Sequence, residues 1–300
     1  MQTTEEMQSG DGRRGRLRIF FGFAAGVGKT YGMLTEAHEL LMMGKHVVVG
    51  YIEPHDRPDT NRLLEGLPQI PPKNIFYKQM VLTEPDIDQI IQQKPEIVLI
   101  DELAHSNAEG SRNRKRYQDI DELLNAGIDV FTTVNVQHIE SLNDIVEEVT
   151  GIEVKETVPD TFLRQATIRV IDVEPDELIE RLEQGKIYAN ENAKRALKNF
   201  FIPQKLDQLR GLAIQRASDH INRISGKTIG IQSKLLTVVN DAFPKMTEKC
   251  IRWTARLAQG LVADWTVIQV RTQENTPTNI PLADKLGAEV RSEEHTSELQ

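Results

Sequence analysis

Cysteine is nearly absent from this chain: Cys250 stands alone among 300 residues. That excludes an internal disulfide and fits a reducing compartment. Cys250 falls in a helical pattern, where a small buried side chain is expected. Long apolar runs are missing too. The longest, Ile19 to Val27, falls well short of the roughly 18–20 residues that crossing a bilayer requires. Met1–Gly15 has no apolar segment of the secretory type and reads as a disordered cytosolic lead-in. Positive charge is in deficit, with 36 Lys+Arg against 45 Asp+Glu and a net charge of −9, which argues against a broad nucleic-acid-binding surface. At 39% hydrophobic and 27% charged residues, the remainder is ordinary globular material with room for two domains.

The densest signal is Leu17–Leu34, LRIFFGFAAGVGKTYGML. An apolar run from Leu17 to Phe21 enters a Gly/Ala loop that ends in Gly28-Lys29-Thr30, and a helical pattern follows at once. Strand, glycine loop and helix in this order are what a phosphate-binding P-loop needs. Small residues let backbone N–H groups wrap an anion, and the new helix aims its unpaired N–H groups and positive dipole end at it. Lys29 is placed to reach the β- and γ-phosphates of a nucleotide, and the Thr30 hydroxyl to ligate Mg²⁺. The usual spacing puts the first glycine at position 23, which is Phe23; the available glycine is Gly22. The competing reading is a glycine-rich turn that happens to contain Lys-Thr.

A second signal supports the first. In PEIVLIDELAH, Pro95–His105, four apolar residues end in Asp101-Glu102, matching a Walker B strand in which Asp101 holds Mg²⁺ and Glu102 polarises a water. Asn135, after the apolar strand IDVFTTV, stands where many P-loop ATPases keep a polar residue near the γ-phosphate, an analogy of position only. The candidate nucleotide-binding set is therefore Gly22, Gly26, Val27, Gly28, Lys29, Thr30, Tyr31, Asp101 and Asn135. Thr30 and Asp101 are the Mg²⁺ ligands, and Glu102 is catalytic if ATP is hydrolysed. Two further polar stretches stay open. Glu53-Pro54-His55-Asp56-Arg57-Pro58 is either a ligand-facing strand end or a solvated loop. The basic loop carrying Arg112, Arg114, Lys115 and Arg116 either offers an arginine to a γ-phosphate or is a solvated charged surface.

Between these motifs the pattern alternates. A helix after Lys29 closes at Gly44, and His46–Ile52 is a strand. Leu63–Ile70 and Asp86–Gln93 are short helices around a weak strand at Asn74–Lys78. Asp119–Ala126 and Ile139–Thr150 are helical, and Thr167–Val173 is a last buried strand. Residues 16–174 thus read as an α/β domain on a parallel sheet. Residues 175–232 are a helical connector, with helices over Pro175–Gln184, Asn190–Phe201 and Pro203–Ile224. From 233 to 290 a new α/β unit begins: strand Leu235–Asn240, helix Met246–Gln259, strand Ala263–Val270 and a helix starting at Leu282. One βαβ unit closes no core, so this domain reads as cut off. RSEEHTSELQ, residues 291–300, back-translates codon by codon into AGATCGGAAGAGCACACGTCTGAACTCCAG, a widely used sequencing-library adapter. Those ten residues are read as adapter-derived and set aside, and the chain is expected to continue past Val290.

The stretches FFGFAAGVGKTYGML, VVVGYIEPHDRPDT, VLIDELAHSN, RYQDIDELLNAGIDVFTTVNVQHIESLNDIVEEVTGIEVKETVPD and GKIYANENAKRALKNFF together resemble the KdpD family of sensor histidine kinases, from Gly15 to Phe201 almost without gaps. The offset glycine is similar to the family's own loop, Gly-x-x-x-Gly-x-Gly-Lys-Thr, with Phe23 where alanine is usual. Gly26, Gly28, Lys29 and Thr30 match its Walker A motif, and Asp101 and Glu102 its Walker B. Residues 233–290 resemble the first half of the universal-stress-protein-like domain that follows there. The resemblance implies a P-loop NTPase-like, ATP-binding regulatory region on the cytoplasmic face of the bacterial plasma membrane. Absent transmembrane helices, a histidine phosphotransfer core, a cognate response regulator controlling potassium-uptake genes and a homodimer are implied with it; the expectation of no nucleic-acid partner rests on the net charge. Some members bind a cyclic dinucleotide through a Ser-x-Ser strand end; here Val239-Asn240-Asp241-Ala242 occupies that place, and the ligand is not carried over.

The phosphotransfer chemistry is not expected in this stretch. Of seven histidines, only His38-Glu39-Leu40 begins like a phosphoacceptor box. It continues Leu41-Met42-Met43 on the P-loop helix and reads as surface. No Asp-x-Gly-x-Gly nucleotide box occurs. The alternatives are a free-standing P-loop ATPase or small-molecule kinase, motivated by Glu102, and a scaffold that uses the fold without nucleotide. A GTPase is disfavoured because Asn135-Val136-Gln137-His138 is not Asn-Lys-x-Asp.

Overall fold

Apolar strands separated by amphipathic helices produce the expected parallel sheet. The computed structural model describes residues 13–53, 58–77, 80–185, 187, 200–224, 234–240, 242–261, 263–271 and 280–294. Most of the N-terminal lead-in, residues 54–57, the middle connector helix (190–199), the polar loop 272–279 and residues 295–300 lie outside them. The main sheet joins β1 (Leu17–Gly22), β2 (Val47–Tyr51), β5 (Ile97–Ile100), β6 (Asp129–Asn135) and β7 (Thr167–Val170) in the order β2-β5-β6-β1-β7, all parallel. Helices α1 (Lys29–Met42), α3 (Ile87–Gln93), α4 (Arg116–Asn125), α5 (Asn143–Thr150), α6 (Asp160–Leu163) and α7 (Pro175–Glu183) complete it with α2 (Pro58–Leu64). Two buried clusters, one containing Ile19 and Phe21 and the other Phe20 and Leu99, show that β1 is covered on both faces, as a central parallel strand should be.

Several expectations shift. The helix expected at Leu63–Ile70 is α2, over Pro58–Leu64; Gly66, at φ +84°, and Pro68 end it, and Gln69 bridges to Val49 instead. The weak strand at Asn74–Lys78 is half of an antiparallel hairpin, β3 (Lys73–Tyr77) and β4 (Met80–Glu84). Ile139–Thr150 is not one helix: two 3₁₀ turns, Val136–His138 and Glu140–Leu142, precede α5. The last strand, expected to be buried, is an exposed edge, because among the described residues β7 pairs only with β1.

The connector helix α8 (Pro203–Ile224) leads to a smaller sheet of parallel strands β8 (Lys234–Asn240), β9 (Asp264–Arg271) and β10 (Glu289–Glu294), ordered β10-β9-β8, with α9 (Pro244–Gly260) and α10 (Ile280–Leu286). Residues 291–294, set aside above, complete β10 and pair with β9 from Ile268 to Arg271. Cys250 is exposed on α9, contrary to expectation, because the buried stripe is Thr247, Ile251, Thr254, Ala255 and Ala258. The two α/β units are bolted together by polar contacts. Arg252 Nη2 donates to Glu140 Oε1 at 3.0 Å and Arg256 Nη1 to Asp144 Oδ1 at 2.7 Å. Asp160, fully buried, accepts from Ser141 Oγ at 2.7 Å and from Arg216 Nη2 and Gln259 Nε2 at 2.9 Å each.

Candidate functional site

The loop after β1 explains its offset glycine. Phe23 is buried in the main core, so a side chain is needed there. Gly22 is where none fits: a Cβ on it would lie 2.6 Å from Val27 Cγ2. Gly26 and Gly28 take φ +86° and +102°, left-handed values that cost an L-residue about 1–2 kcal/mol. Gly28 caps α1, whose first turn carries no acid. Lys29 Nζ folds back to Ala24 O at 3.0 Å, and Thr30 Oγ1 donates to Asp101 Oδ2 at 3.1 Å.

That last bond joins the two motifs. Asp101 ends β5 almost fully buried; its Oδ1 accepts from Thr133 Oγ1 on β6 and from the Glu102 N–H at 3.0 Å. Glu102 sits at φ +57°, uncommon for a residue with a Cβ and the kind of backbone strain that gathers at functional sites. A cleft of about 240 Å³ brings together Gly26, Lys29, Thr30, Asp101, Glu102 and Asn135. Asn135 Oδ1 is buried there without a hydrogen-bond partner, an acceptor suited to a water or a ligand donor. Val27, Gly28 and Tyr31 are not in this cleft. They line a second one, of about 470 Å³, on the other side of the loop, and Gly26, Lys29 and Thr30 border both. Gly22 borders neither; its role is packing.

The structure resolves the basic loop against both readings for Arg116. This side chain is fully buried beneath the acid strand. It donates to Asp101 O at 3.1 Å and to Glu84 Oε2 at 2.7 Å, with its guanidinium carbon 4.4 Å from the Tyr51 ring centroid. It is neither solvated nor able to reach a phosphate. Arg112 bridges Asp88 and Glu122, and Lys115 Nζ donates to Ser106 Oγ at 2.6 Å. Burial pushes the Glu84 carboxyl up, but the combined pull of His105, the Ala108 N–H and Arg116 leaves it below its usual range. Burial pushes the Tyr51 phenol up to about 12.

Sequence reasoning also passed over His138, Gln137 and His105, which line the first cleft. His138 Nδ1 lies 2.7 Å from Glu156 O. Burial, with Lys29 close by, holds its imidazole below the usual value despite that contact. Its only sequence signal was its position just past a strand end already marked by Asn135. His38 bonds Leu63 O at 2.8 Å through Nε2, a packing contact.

The resemblance of the chain is broad. The model of the family described as "Osmosensitive K+ channel His kinase sensor domain" matches residues 13–221. A sensor protein KdpD of Clostridium acetobutylicum is 47% identical over 295 residues, covering 92% of this chain and 33% of that protein. The sensor protein KdpD of Escherichia coli is 46% identical over 270 residues, covering 86% of this chain and 30% of its own length. A putative sensor protein KdpD of Synechocystis sp. is 45% identical over 214 residues, covering 71% and 58%. The chain therefore spans about a third of the length of the first two relatives. It belongs to the KdpD sensor-domain family.

Proposed function

We propose that this region binds Mg·ATP on a P-loop NTPase-like fold and serves as the cytoplasmic regulatory input of a membrane sensor histidine kinase. The observation that carries the reading is the Thr30–Asp101 hydrogen bond, which brings the loop and the acid strand, 71 residues apart, to one cleft. Thr30 and Asp101 supply hard oxygens of the kind Mg²⁺ takes, alongside waters and phosphates rather than a full protein cage. Among the described residues no cluster of three or more His, Cys, Asp or Glu competes for a metal. Bound Mg²⁺ would neutralise phosphate charge; Lys29 orients the phosphates, and Asn135 Oδ1 accepts from a water beside them. The names of the relatives support assignment to a potassium-responsive two-component system. In that reading a kinase core, transmembrane helices and a homodimer belong to stretches of the relatives beyond this chain, and the kinase core passes its phosphoryl group to a response regulator. The smaller sheet is read as part of a universal-stress-protein-like domain.

Calorimetric titration with Mg·ATP tests this. The wild-type chain is expected to bind with little or no turnover, and Lys29→Ala to weaken binding by about 100-fold, the loss of two charge-assisted hydrogen bonds. Absence of wild-type binding would sink the proposal in favour of a scaffold. A P-loop ATPase is the second reading, favoured by Glu102, whose left-handed backbone sits in the cleft beside Asp101. Rapid steady-state hydrolysis, lost in Glu102→Gln, would establish it; background hydrolysis with intact binding would remove it.

A further inference from the structure

Among the described residues, the cleft on the α1 side of the glycine loop is bordered by two cations, and one of them comes from outside the loop. Lys29 is the first; Arg181, in the last turn of α7, is the second. Arg181 Nη1 donates to the Gly26 carbonyl at 3.2 Å, and Nη2 to Glu177 Oε1 at 2.5 Å. Its guanidinium also comes within 4.0 Å of where a Cβ on Gly28 would stand. A guanidinium has five N–H donors in a fixed fork, so donors remain beyond these two contacts. The side chain is about one-third exposed and borders the cleft, which leaves it room to turn toward a ligand.

The electrostatics favour a polyanion. Gly28 caps α1 without a side-chain cap, and the first turn of α1 has no acid, so the positive helix end is not offset from within the helix. Lys29, Arg181 and that helix end converge on one cleft, opposed by Glu177 beside Arg181 and by Asp59 on the lining. Positive groups lining one cleft lower the energy of a site that holds phosphates.

We infer that Arg181 is a second phosphate-binding residue, contacting the phosphate chain of the nucleotide from the side of α7. This rests on the nucleotide reading above and adds to it: the first helix after the sheet domain touches the ligand directly, so occupancy of the loop is felt at the start of the connector.

The test is equilibrium titration of the whole chain with Mg·ATP and with Mg-tripolyphosphate, across a series of salt concentrations. Arg181→Ala is expected to bind both probes about tenfold more weakly, as for one lost charge-assisted hydrogen bond. Its salt dependence is expected to be shallower, because one screened contact has gone. Arg181→Lys is expected to recover most of the affinity. Arg181→Gln keeps a neutral donor for the Gly26 carbonyl and should behave like the alanine variant. Wild-type-like affinity in Arg181→Ala overturns the inference while leaving the nucleotide site standing. Weakened binding with unchanged salt dependence, or full affinity in Arg181→Gln, overturns it too, assigning Arg181 to holding the loop. Failure of the wild-type chain to bind either probe removes both readings. A melting temperature matched to wild type confirms that each variant is folded.

Discussion

β1 and β8 both begin a parallel α/β unit and both lead through a short turn into a helix, yet only one turn has the makings of an anion site. The turn after β1 spans residues 23–28 with glycines at 26 and 28 in left-handed conformations. After β8, α9 begins at Pro244, with Phe243 as the cap. Proline supplies no N–H to a ligand. Position in the sheet differs as much as composition. β1 has β6 on one side and β7 on the other, whereas among the described residues β8 pairs only with β9. The chain leaves β1 for β2 on one flank of the sheet and leaves the neighbouring β6 for β7 on the other, and such a reversal opens the crevice in which ligands of these sheets sit. Ile19 and Phe20 are fully buried, while Leu236 and Val238 are 63% and 60% exposed. The lesson is that a strand–turn–helix pattern has the makings of an anion site where a glycine turn coincides with an interior strand.

The largest test of this contrast lies under β5. Arg116→Ala leaves Glu84 buried without its cation, and a loss of about 3–5 kcal/mol in urea unfolding is expected. Arg116→Met with Glu84→Gln should recover much of it, because the uncompensated charge is gone. Next is the joint between the two units. Asp160→Ala strips Arg216, Gln259 and Ser141 of their shared acceptor, and about 2–3 kcal/mol should be lost. The two units should then separate into distinct thermal transitions, seen by calorimetry. Gly28→Ala places a Cβ at φ +102° and should cost about 1–2 kcal/mol; Phe243→Ala after β8, at φ −132°, should show no such strain.

A pH-dependent effect comes after these. The His138 imidazole is held below its ordinary value in the folded chain. The unfolded chain therefore takes up its proton first as pH falls. The sign follows: stability is full above the unfolded value of about 6.5 and declines as pH drops below it toward the folded value. His138→Gln should flatten this part of the melting-temperature profile. Smallest is Leu236→Ser on the open face of β8, expected to stay within about 0.5 kcal/mol of wild type, where Ile19→Ala should cost about 2–5 kcal/mol.

Much of the first unit was legible because its signals are local. The β1 run, the glycine loop, the β5 run ending in Asp101-Glu102 and the strand ending at Asn135 were all read within a residue or two, since apolar continuity and turn chemistry act over a few neighbours. Of the β3–β4 hairpin only the first strand was read, although its pairing is local; the 3₁₀ turns before α5 were missed because they depend on partners distant in sequence, Val158 N donating to His138 O at 2.7 Å at the end of the first of them. Burial was misread at β7 and at Cys250, where apolar or small residues carry no record of which face finds a neighbour.

By itself the sequence determined a glycine loop between a buried strand and a helix, the lysine and threonine that follow it, the acid pair at the end of β5 and two successive α/β units, because glycine conformational freedom and hydrophobic period are properties of short stretches. Tertiary structure alone decided which of many charges matter. Four basic residues in one loop look alike on paper, yet Arg116 became a buried pillar under Asp101 while Arg112 became a surface brace. Arg181, unremarkable in a helix of mixed charge, arrived at the Gly26 carbonyl. The physical reason is that the worth of a charge is set by its desolvation and by the partner it meets, and both are fixed only when distant segments pack.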